Sequence, residues 1–412
     1  MRKPPAVIVR GFFMCITPEL CVTLRKLHSS TQTMKIGFDA KRAVNNKTGL
    51  GNYSRLVVDV LSEYYPENEY VLYAPKLRYN NRLEPLLSRK NINLAGPQRC
   101  IDRMLPGLWR VGRGIVRDYS RDGIDIFHGL SNELPLSHNT VPTVVTIHDL
   151  IFLYYPHCYK PADRLIYDYK FRRACENSDR IIAVSQCTKR DIVRSYGISA
   201  DKIDVVYQGC DDGFRVERSQ KELASVREKY NLPEGQFMLY VGTVEERKNV
   251  LLAVKALRVM GNMALPLVIV GRETGYAQKV KEYVAKYNLG SNVLFRQIHF
   301  NDLSAVYQSA AVFVYPSRYE GFGIPVLEAL CCGVPVVAAT GSCLEEAGGE
   351  GSRYVDPDDE AGMATAIGEI LSDDRLRKSM IEQGYSHANR FTRESIAKNT
   401  MDVYKKVLGK QA

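Results

Sequence analysis

Glu320 and Glu328 stand eight positions apart at the two ends of the segment EGFGIPVLE. Between them lie a glycine turn, Gly321, Phe322 and Gly323, and Pro325, which suits the first turn of a helix because its missing N–H would have had no partner there. The glycines let backbone amides approach a phosphate closely, and the positive end of a helix dipole favours the anion, so a diphosphate fits the turn. Glu328 then falls about one helical turn inside, where a carboxylate can accept hydrogen bonds from two neighbouring ribose hydroxyls. Glu320 stays in the loop, free to accept from a sugar hydroxyl. The plainer reading of the same residues is a helix start with a capping acid and glycines that serve only the turn.

Other candidate groups are weaker when taken alone. The loop GLGNYS supplies Gly49 and Gly51, but Ser54 stands where the third glycine of G-x-G-x-x-G would be, so a nicotinamide site is unsupported. His148 and Asp149 end the run TVVTIHD, where a lone histidine is more often structural than chemical. Arg247 and Lys248, isolated, would be ordinary surface charge. Asp356-Pro-Asp358 has the Asp-x-Asp form that can hold a divalent metal, yet it lies in a proline-containing turn late in the chain, where acids commonly stabilise turns.

The elements that must carry these groups alternate strand and helix, which predicts parallel doubly wound α/β sheets. Strands are expected at KIGFDA, YVLYAP, IDIFHG, TVVTIHD and RIIAVS in the first half, and at FMLYVG, PLVIVG, NVLFRQ, AVFVYPS and PVVAAT in the second. Each is short and rich in Val, Ile, Tyr or Phe. Two sheets follow, with a junction near VVYQGCDDGF, Val205 to Phe214, where Gly and Asp cluster after a strand-like run. Ligands of open α/β sheets bind beyond the carboxyl ends of the strands, which is where the glycine turns, His148 and the Arg-Lys pair fall. A last helix is expected after Thr392 as its cap.

The 412 residues exceed what one hydrophobic core usually supports and suggest two domains with a cleft between them. Composition, 45% hydrophobic and 25% charged, excludes disordered and fibrous classes, and no apolar stretch is long enough to span a bilayer. Ten scattered cysteines without a Cys-x-x-Cys pair argue against a disulfide framework or zinc site and for a reducing cytoplasm. Residues 1–33 begin basic and apolar, but Arg10 interrupts the run. Met34 opens a more typical first strand, so 1–33 are expected to be a poorly ordered extension or a mis-called start. The net charge of +10 is concentrated in the N-terminal half. Residues 76–121 hold eleven cations against Glu84, Asp102 and Asp118. Arg103, Arg110, Arg113, Arg117 and Arg121 recur near helical spacing and predict a basic amphipathic helix interrupted at Pro106-Gly107. It reads either as a solvated surface helix or as a dock for anionic lipid or a lipid-diphosphate acceptor; no nucleic-acid-binding pattern accompanies it.

EGFGIPVLE, with PS before it and LEA and GVPVV after it, resembles the Glu-x7-Glu motif of family 4 of the retaining glycosyltransferases. The resemblance extends through LYVGTVEERKNV, VIVGR, AVSQCTKRDI and FDAKRAVNNKTGLGNYSRLVVDVL, covering the chain from about Met34 to the end. It implies the GT-B fold: a Rossmann-like acceptor domain over 34–210, a Rossmann-like nucleotide-sugar domain over 211–390, and a helix within 391–412 crossing back. It also implies metal-independent, retaining transfer of a hexosyl group from a nucleotide sugar, without a further cofactor. In the match Arg247 and Lys248 contact the donor diphosphate, where fixed cations would stabilise the charge growing on the leaving phosphate. Gly49 and Gly51 belong to the glycine loop that approaches the donor across the cleft, though Asn52 stands where relatives often carry Arg. His148 comes near the transferring sugar, not as a general base, and a leaving-group oxygen takes the acceptor's proton. Arg393 replaces a frequent Trp.

The resemblance is closest to bacterial envelope or capsular polysaccharide mannosyltransferases, which favours GDP-mannose over a UDP-sugar. It implies a glycan or polyprenyl-diphosphate-linked acceptor at the inner face of the cytoplasmic membrane. A non-catalytic nucleotide-sugar-binding protein and a sugar-nucleotide epimerase on the same fold remain as alternatives.

Overall fold

A computed structural model describes residues 33–46, 48–77 and 81–409; the expected extension over 1–33 lies, but for Thr33, outside them. The chain forms two all-parallel sheets. The first comprises β1 (Lys35–Asp39), β2 (Glu69–Tyr73), β3 (Ile92–Ala95), β4 (Ile126–Gly129), β5 (Thr143–Ile147), β6 (Arg180–Ala183) and β7 (Ile203–Val205), in the order β3-β2-β1-β4-β5-β6-β7. The second comprises β8 (Met238–Val241), β9 (Leu267–Val270), β10 (Val293–Arg296), β11 (Val312–Tyr315), β12 (Val336–Ala339) and β13 (Arg353–Val355), ordered β10-β9-β8-β11-β12-β13. Every expected strand is present. Their unbroken apolar runs reflect burial on both faces under flanking helices: β4, β5, β9, β11 and β12 are buried at every residue. The order reverses between β1 and β4 and between β8 and β11, and at such reversals the carboxyl ends of neighbouring strands open a crevice.

The flanking helices include α1 (Gly49–Tyr64) after β1, the short α2 (Cys100–Met104), α3 (Pro106–Val111) and α4 (Arg113–Arg121) before β4, α5 (Pro161–Asn177), α6 (Ile324–Cys331) after β11, and α7 (Arg393–Val407), of which α1, α6 and the start of α7 reach the crevice. The basic helix expected here with an interruption at Pro106-Gly107 is in three pieces, broken at Leu105, next to that interruption, and again at Gly112. Its arginines also divide. Arg110 points inward to Asp39 at 2.6 Å and Glu133 at 2.7 Å, Arg117 pairs with Asp102 and Asp118, and Arg121 pairs with Asp118 and Asp122. The Arg110 pairs hold the segment down on the sheet, and the pair of Arg117 with Asp102 braces α4 against α2. Trp109, whose Nε1–H donates to Asp118 at 2.8 Å, fixes the same segment.

Helix α7 is capped as expected: the Thr392 hydroxyl accepts from the Ser395 N–H at 3.1 Å. It leaves the second sheet's helices and packs on the first unit. Ile396 and Ala397 lie against Val60 of α1, Lys406 pairs with Asp204 of β7, and the buried Tyr404 hydroxyl lies 2.6 Å from His128 Nδ1. Burial drives His128 down to about 3, so its ring is neutral and bonds Thr146 through its other nitrogen. Arg393, in place of the frequent Trp, ties α7 to Asp59 at 2.7 Å and Asp212 at 3.6 Å.

Asp39 and Glu133 are both nearly buried beside Arg110, so removing the cation strands Asp39 and leaves Glu133 only the more distant Lys170 at 3.6 Å. Arg110→Met should cost about 3 kcal/mol or more. Urea unfolding followed by the fluorescence of Trp109, the single tryptophan, reads this directly. An unmoved midpoint would contradict it.

Candidate functional site

The reversal between β8 and β11 brings the turn after each strand side by side. After β8 the chain runs Gly242 to Glu245 and makes one tight turn, Glu246–Lys248, closed by Asn249 in the left-handed region (φ 53°). After β11 it runs through Ser317 and Glu320 to the glycine turn and α6. Glu320 is the hub. Its Oε1 accepts from Lys248 Nζ at 2.9 Å, the Tyr315 hydroxyl at 2.8 Å and the Ser317 hydroxyl at 2.8 Å, and its Oε2 lies 3.1 Å from the Arg247 guanidinium. Lys248 also donates to Tyr315 Oη at 2.6 Å. Burial alone would raise the Glu320 carboxyl, but Lys248 and Arg247 outweigh it and hold it at about 2. Burial works against the Arg247 charge as well, and Glu320 and Glu245 reverse that.

Gly323 starts α6 with φ 108°, a conformation L side chains rarely adopt, and a Cβ there would also meet Leu344 at 2.8 Å. Gly321 is constrained differently. A Cβ would come within 2.1 Å of the His148 carbonyl, so the two units touch backbone to backbone at this residue. The Thr188 hydroxyl lies between the same two strands of chain, 3.2 Å from the His148 carbonyl and 3.3 Å from that of Gly321. Phe322 is buried among Tyr207 in the connection between the units and Phe391 before α7.

Glu328 takes a bond from the Tyr307 hydroxyl at 2.9 Å. Burial pushes its carboxyl up to about 8; the Tyr307 bond opposes this, and the neighbouring Cys331 and Asp211 add to it. Glu320 and Glu328 thus differ in charge near neutral pH although they share one segment.

Across the cleft, His148 caps β5. Its Nε2 faces the Leu130 carbonyl at 2.9 Å, which can only accept, so the proton sits on Nε2 and Nδ1 is left as an acceptor beside Gln208. Burial lowers the ring to about 4, which leaves it neutral. Asn132, itself in the left-handed region, holds the His148 N–H at 2.7 Å.

His148, Lys248, Glu320, Gly321, Phe322, Gly323, Glu328 and Gly49 all line one cleft of about 1010 Å³ between the two sheets. Gly51 and Arg247 do not. Gly51 is buried, and a Cβ would fall 2.0 Å from the Asn46 carbonyl, so close packing accounts for it; a Cβ on Gly49 would meet open space. Arg247 stands behind Glu320, engaged by Glu245, the Tyr319 carbonyl and Glu320. Asp356 and Asp358 are used locally: Asp356 accepts from the Asp358 N–H, and Asp358 pairs with Arg318 at 3.0 Å. Asn52 lines the cleft as well, and so do residues not anticipated, among them Arg55, Arg82 and Gln208. Asn52 accepts from Arg55 at 2.6 Å and from Arg82 at 3.4 Å, so cations surround the position where relatives often carry Arg. Arg55 was legible as a position one helical turn beyond Asn52; Arg82, thirty residues on, was not.

Two parallel sheets with acidic, basic and glycine groups at facing reversals match known proteins along most of the chain. Residues 56–214 match Glycosyltransferase Family 4 and residues 224–387 match Glycosyl transferases group 1. The O-antigen chain mannosyltransferase B of Escherichia coli is 32% identical over 295 residues, 70% of this chain and 76% of that protein. The O-antigen chain mannosyltransferase RfbU of Salmonella typhimurium is 28% identical over 239 residues, 57% of this chain and 63% of that protein. Among solved structures, HepE from Anabaena in complex with UDP and glucose superposes with a TM-score of 0.71 at 18% identity, covering 90% of this chain and all of that one. The chain belongs to the GT-B glycosyltransferases.

The raised Glu328 carboxyl carries a sign. Its folded value exceeds its unfolded one, so the protonated acid contributes stability fully present below the unfolded value and lost as pH rises through about 8. Wild type should lose about 1 kcal/mol relative to Glu328→Gln between about pH 7 and 9, read as diverging melting temperatures. Parallel curves would contradict the burial of this acid.

Proposed function

We propose that the enzyme transfers a hexosyl group from a nucleotide sugar to a glycan or lipid-linked acceptor, with retention of anomeric configuration and without a metal. The observation that carries this reading is the convergence of Lys248, Glu320 and the glycine turn at the start of α6 on a cleft whose other wall holds His148 and Gly49. The donor diphosphate would lie against the amides of Gly321 to Gly323 and the N-terminus of α6, with Lys248 meeting the leaving phosphate. Arg247, fully engaged with Glu320, adds its charge from behind and keeps that carboxylate aimed at a sugar hydroxyl. Glu328 would take the ribose hydroxyls. A neutral His148 offers Nδ1 to the sugar and is a poor proton acceptor at neutral pH, which supports a leaving phosphate oxygen as the base.

GDP-mannose is the favoured donor because the similar curated proteins include O-antigen mannosyltransferases. Polysaccharide assembly at the inner face of the cytoplasmic membrane is the setting this suggests. No helix among the described residues is long and apolar enough to cross a membrane. Among the described residues no group of three His, Cys, Asp or Glu is placed to hold a metal ion, and metal independence is part of the proposal.

Purified protein incubated with a panel of nucleotide sugars and lipid-linked acceptors should release nucleoside diphosphate and add one hexose mass to an acceptor. Nucleotide binding without turnover, or donor epimerisation without acceptor, would sink the reading. Lys248→Ala should lower kcat by about 10²-fold or more; near wild-type transfer would remove Lys248 from the mechanism. Early proton NMR of the product should show the donor's anomeric configuration, and an inverted product would exclude retention. Activity abolished by EDTA and restored by Mn²⁺ would overturn metal independence.

A further inference from the structure

The segment with the expected basic helix turns a different face to solvent from the one its arginines suggested. Trp109 and Arg110 face inward, which leaves Ile101, Met104, Leu105 and Leu108 pointing out, with 58%, 71%, 48% and 64% of their surfaces exposed. Large apolar side chains scattered singly are ordinary on protein surfaces; four between Ile101 and Leu108 are not. Arg99, Arg103 and Arg113 border them, exposed and without an ion pair among the described residues. The nearby acids are neutralised, Asp102 by Arg117 and Asp118 by Arg117 and Arg121. The outward character of this patch is apolar and cationic.

A second strip lies on α5, where Leu165, Ile166 and Tyr169 are exposed by 74%, 50% and 57% while Phe171, Ala174 and Cys175 face the core. The helices that carry the two strips are tied together through Glu133. Arg110 of α3 reaches this carboxylate at 2.7 Å and Lys170 of α5, one turn from Ile166, reaches it at 3.6 Å. Leu136, bonded through its N–H to the Val111 carbonyl and itself partly exposed, lies next to the same junction. Arg110 also bonds Asp39 at the carboxyl end of β1, so the footprint borders the same end of the first sheet from which His148 enters the cleft.

We propose that this two-strip face is a docking surface for an anionic lipid bilayer, with the α2–α3 and α5 side chains entering the interface and Arg99, Arg103 and Arg113 meeting headgroup charge. Apolar burial supplies part of the affinity and the unpaired arginines supply the preference for anionic lipid. Geometry favours a membrane over a protein partner: the apolar side chains project from two separate ridges, the first bordered by the unpaired cations Arg99, Arg103 and Arg113, the second carrying Asp163 and Asp168, the latter paired with Arg172. Docking here would set the acceptor side of the cleft against the bilayer. The inference stands apart from the chemistry proposed above, since none of these side chains lines the cleft.

Flotation of the full chain with vesicles tests it. Wild type should float with phosphatidylcholine containing about a third phosphatidylglycerol and stay behind with phosphatidylcholine alone. Met104→Glu with Leu108→Glu, and separately Leu165→Glu with Tyr169→Glu, should each lower binding about tenfold or more. Arg99→Gln with Arg103→Gln and Arg113→Gln should weaken binding to the anionic vesicles and flatten its salt dependence. Nucleoside-diphosphate binding by calorimetry should be unchanged in all these variants, which separates failure of docking from failure of the donor site. Three results overturn the proposal: no flotation of wild type, flotation that ignores both glutamate pairs, or variants that change only self-association in sedimentation velocity.

Discussion

A carboxylate and two cations drawn together out of bulk water are costly unless each satisfies the others, and that requirement organises the wall of the cleft built by the second sheet. Glu320 accepts from Lys248, Tyr315 and Ser317 and pairs with Arg247. Loss of Glu320 would leave Lys248 without its carboxylate, and loss of both cations would leave Glu320 charged, buried and unpaired. The cluster therefore fixes the turn after β8 against the turn after β11, which the sheet order already makes neighbours. With Glu320 held, the glycine turn has one path into α6, and the amides at its start face the cleft. In the proposed function the donor would meet an arrangement that the fold has already made, which is what electrostatic preorganisation demands.

The second constraint is the backbone contact between the units. Gly321 abuts the His148 carbonyl so closely that no side chain fits, and Thr188 lies within reach of both strands of chain there. Phe322 then packs between Tyr207 and Phe391, and α7 returns to the first unit through Tyr404 and Arg393. The two halves of the site are registered by a glycine, a hydroxyl and a crossing helix, each on a different part of the chain.

Much of this was legible. Interior strands advertise themselves because burial on both faces demands continuous apolar residues, and EGFGIPVLE shows its turn and helix start directly. The unanticipated strands β3, β7 and β13 are all sheet edges, three or four residues long, where half-exposure dilutes the pattern. Spacing suggested a cationic face over 76–121, but the partners of Arg110 lie at Asp39 and Glu133, far along the chain, and only the fold shows that this arginine is structural. Gly51 and Gly49 look equivalent in sequence. One is fixed by the Asn46 carbonyl and the other opens onto the cleft. Likewise, nothing in the spacing of Glu320 and Glu328 reveals that burial is compensated by cations at the first and left standing at the second.

The central claim is that Lys248 and Glu320 act as one unit, the carboxylate holding the cation where leaving-group charge develops. A double-mutant cycle on transfer rate with Lys248→Ala, Glu320→Gln and both together measures this directly. Residues acting as a unit should give a double variant hardly slower than the worse single one, with a coupling energy of about 1 kcal/mol or more. Additive losses would show that the two groups serve the reaction independently and would contradict the account.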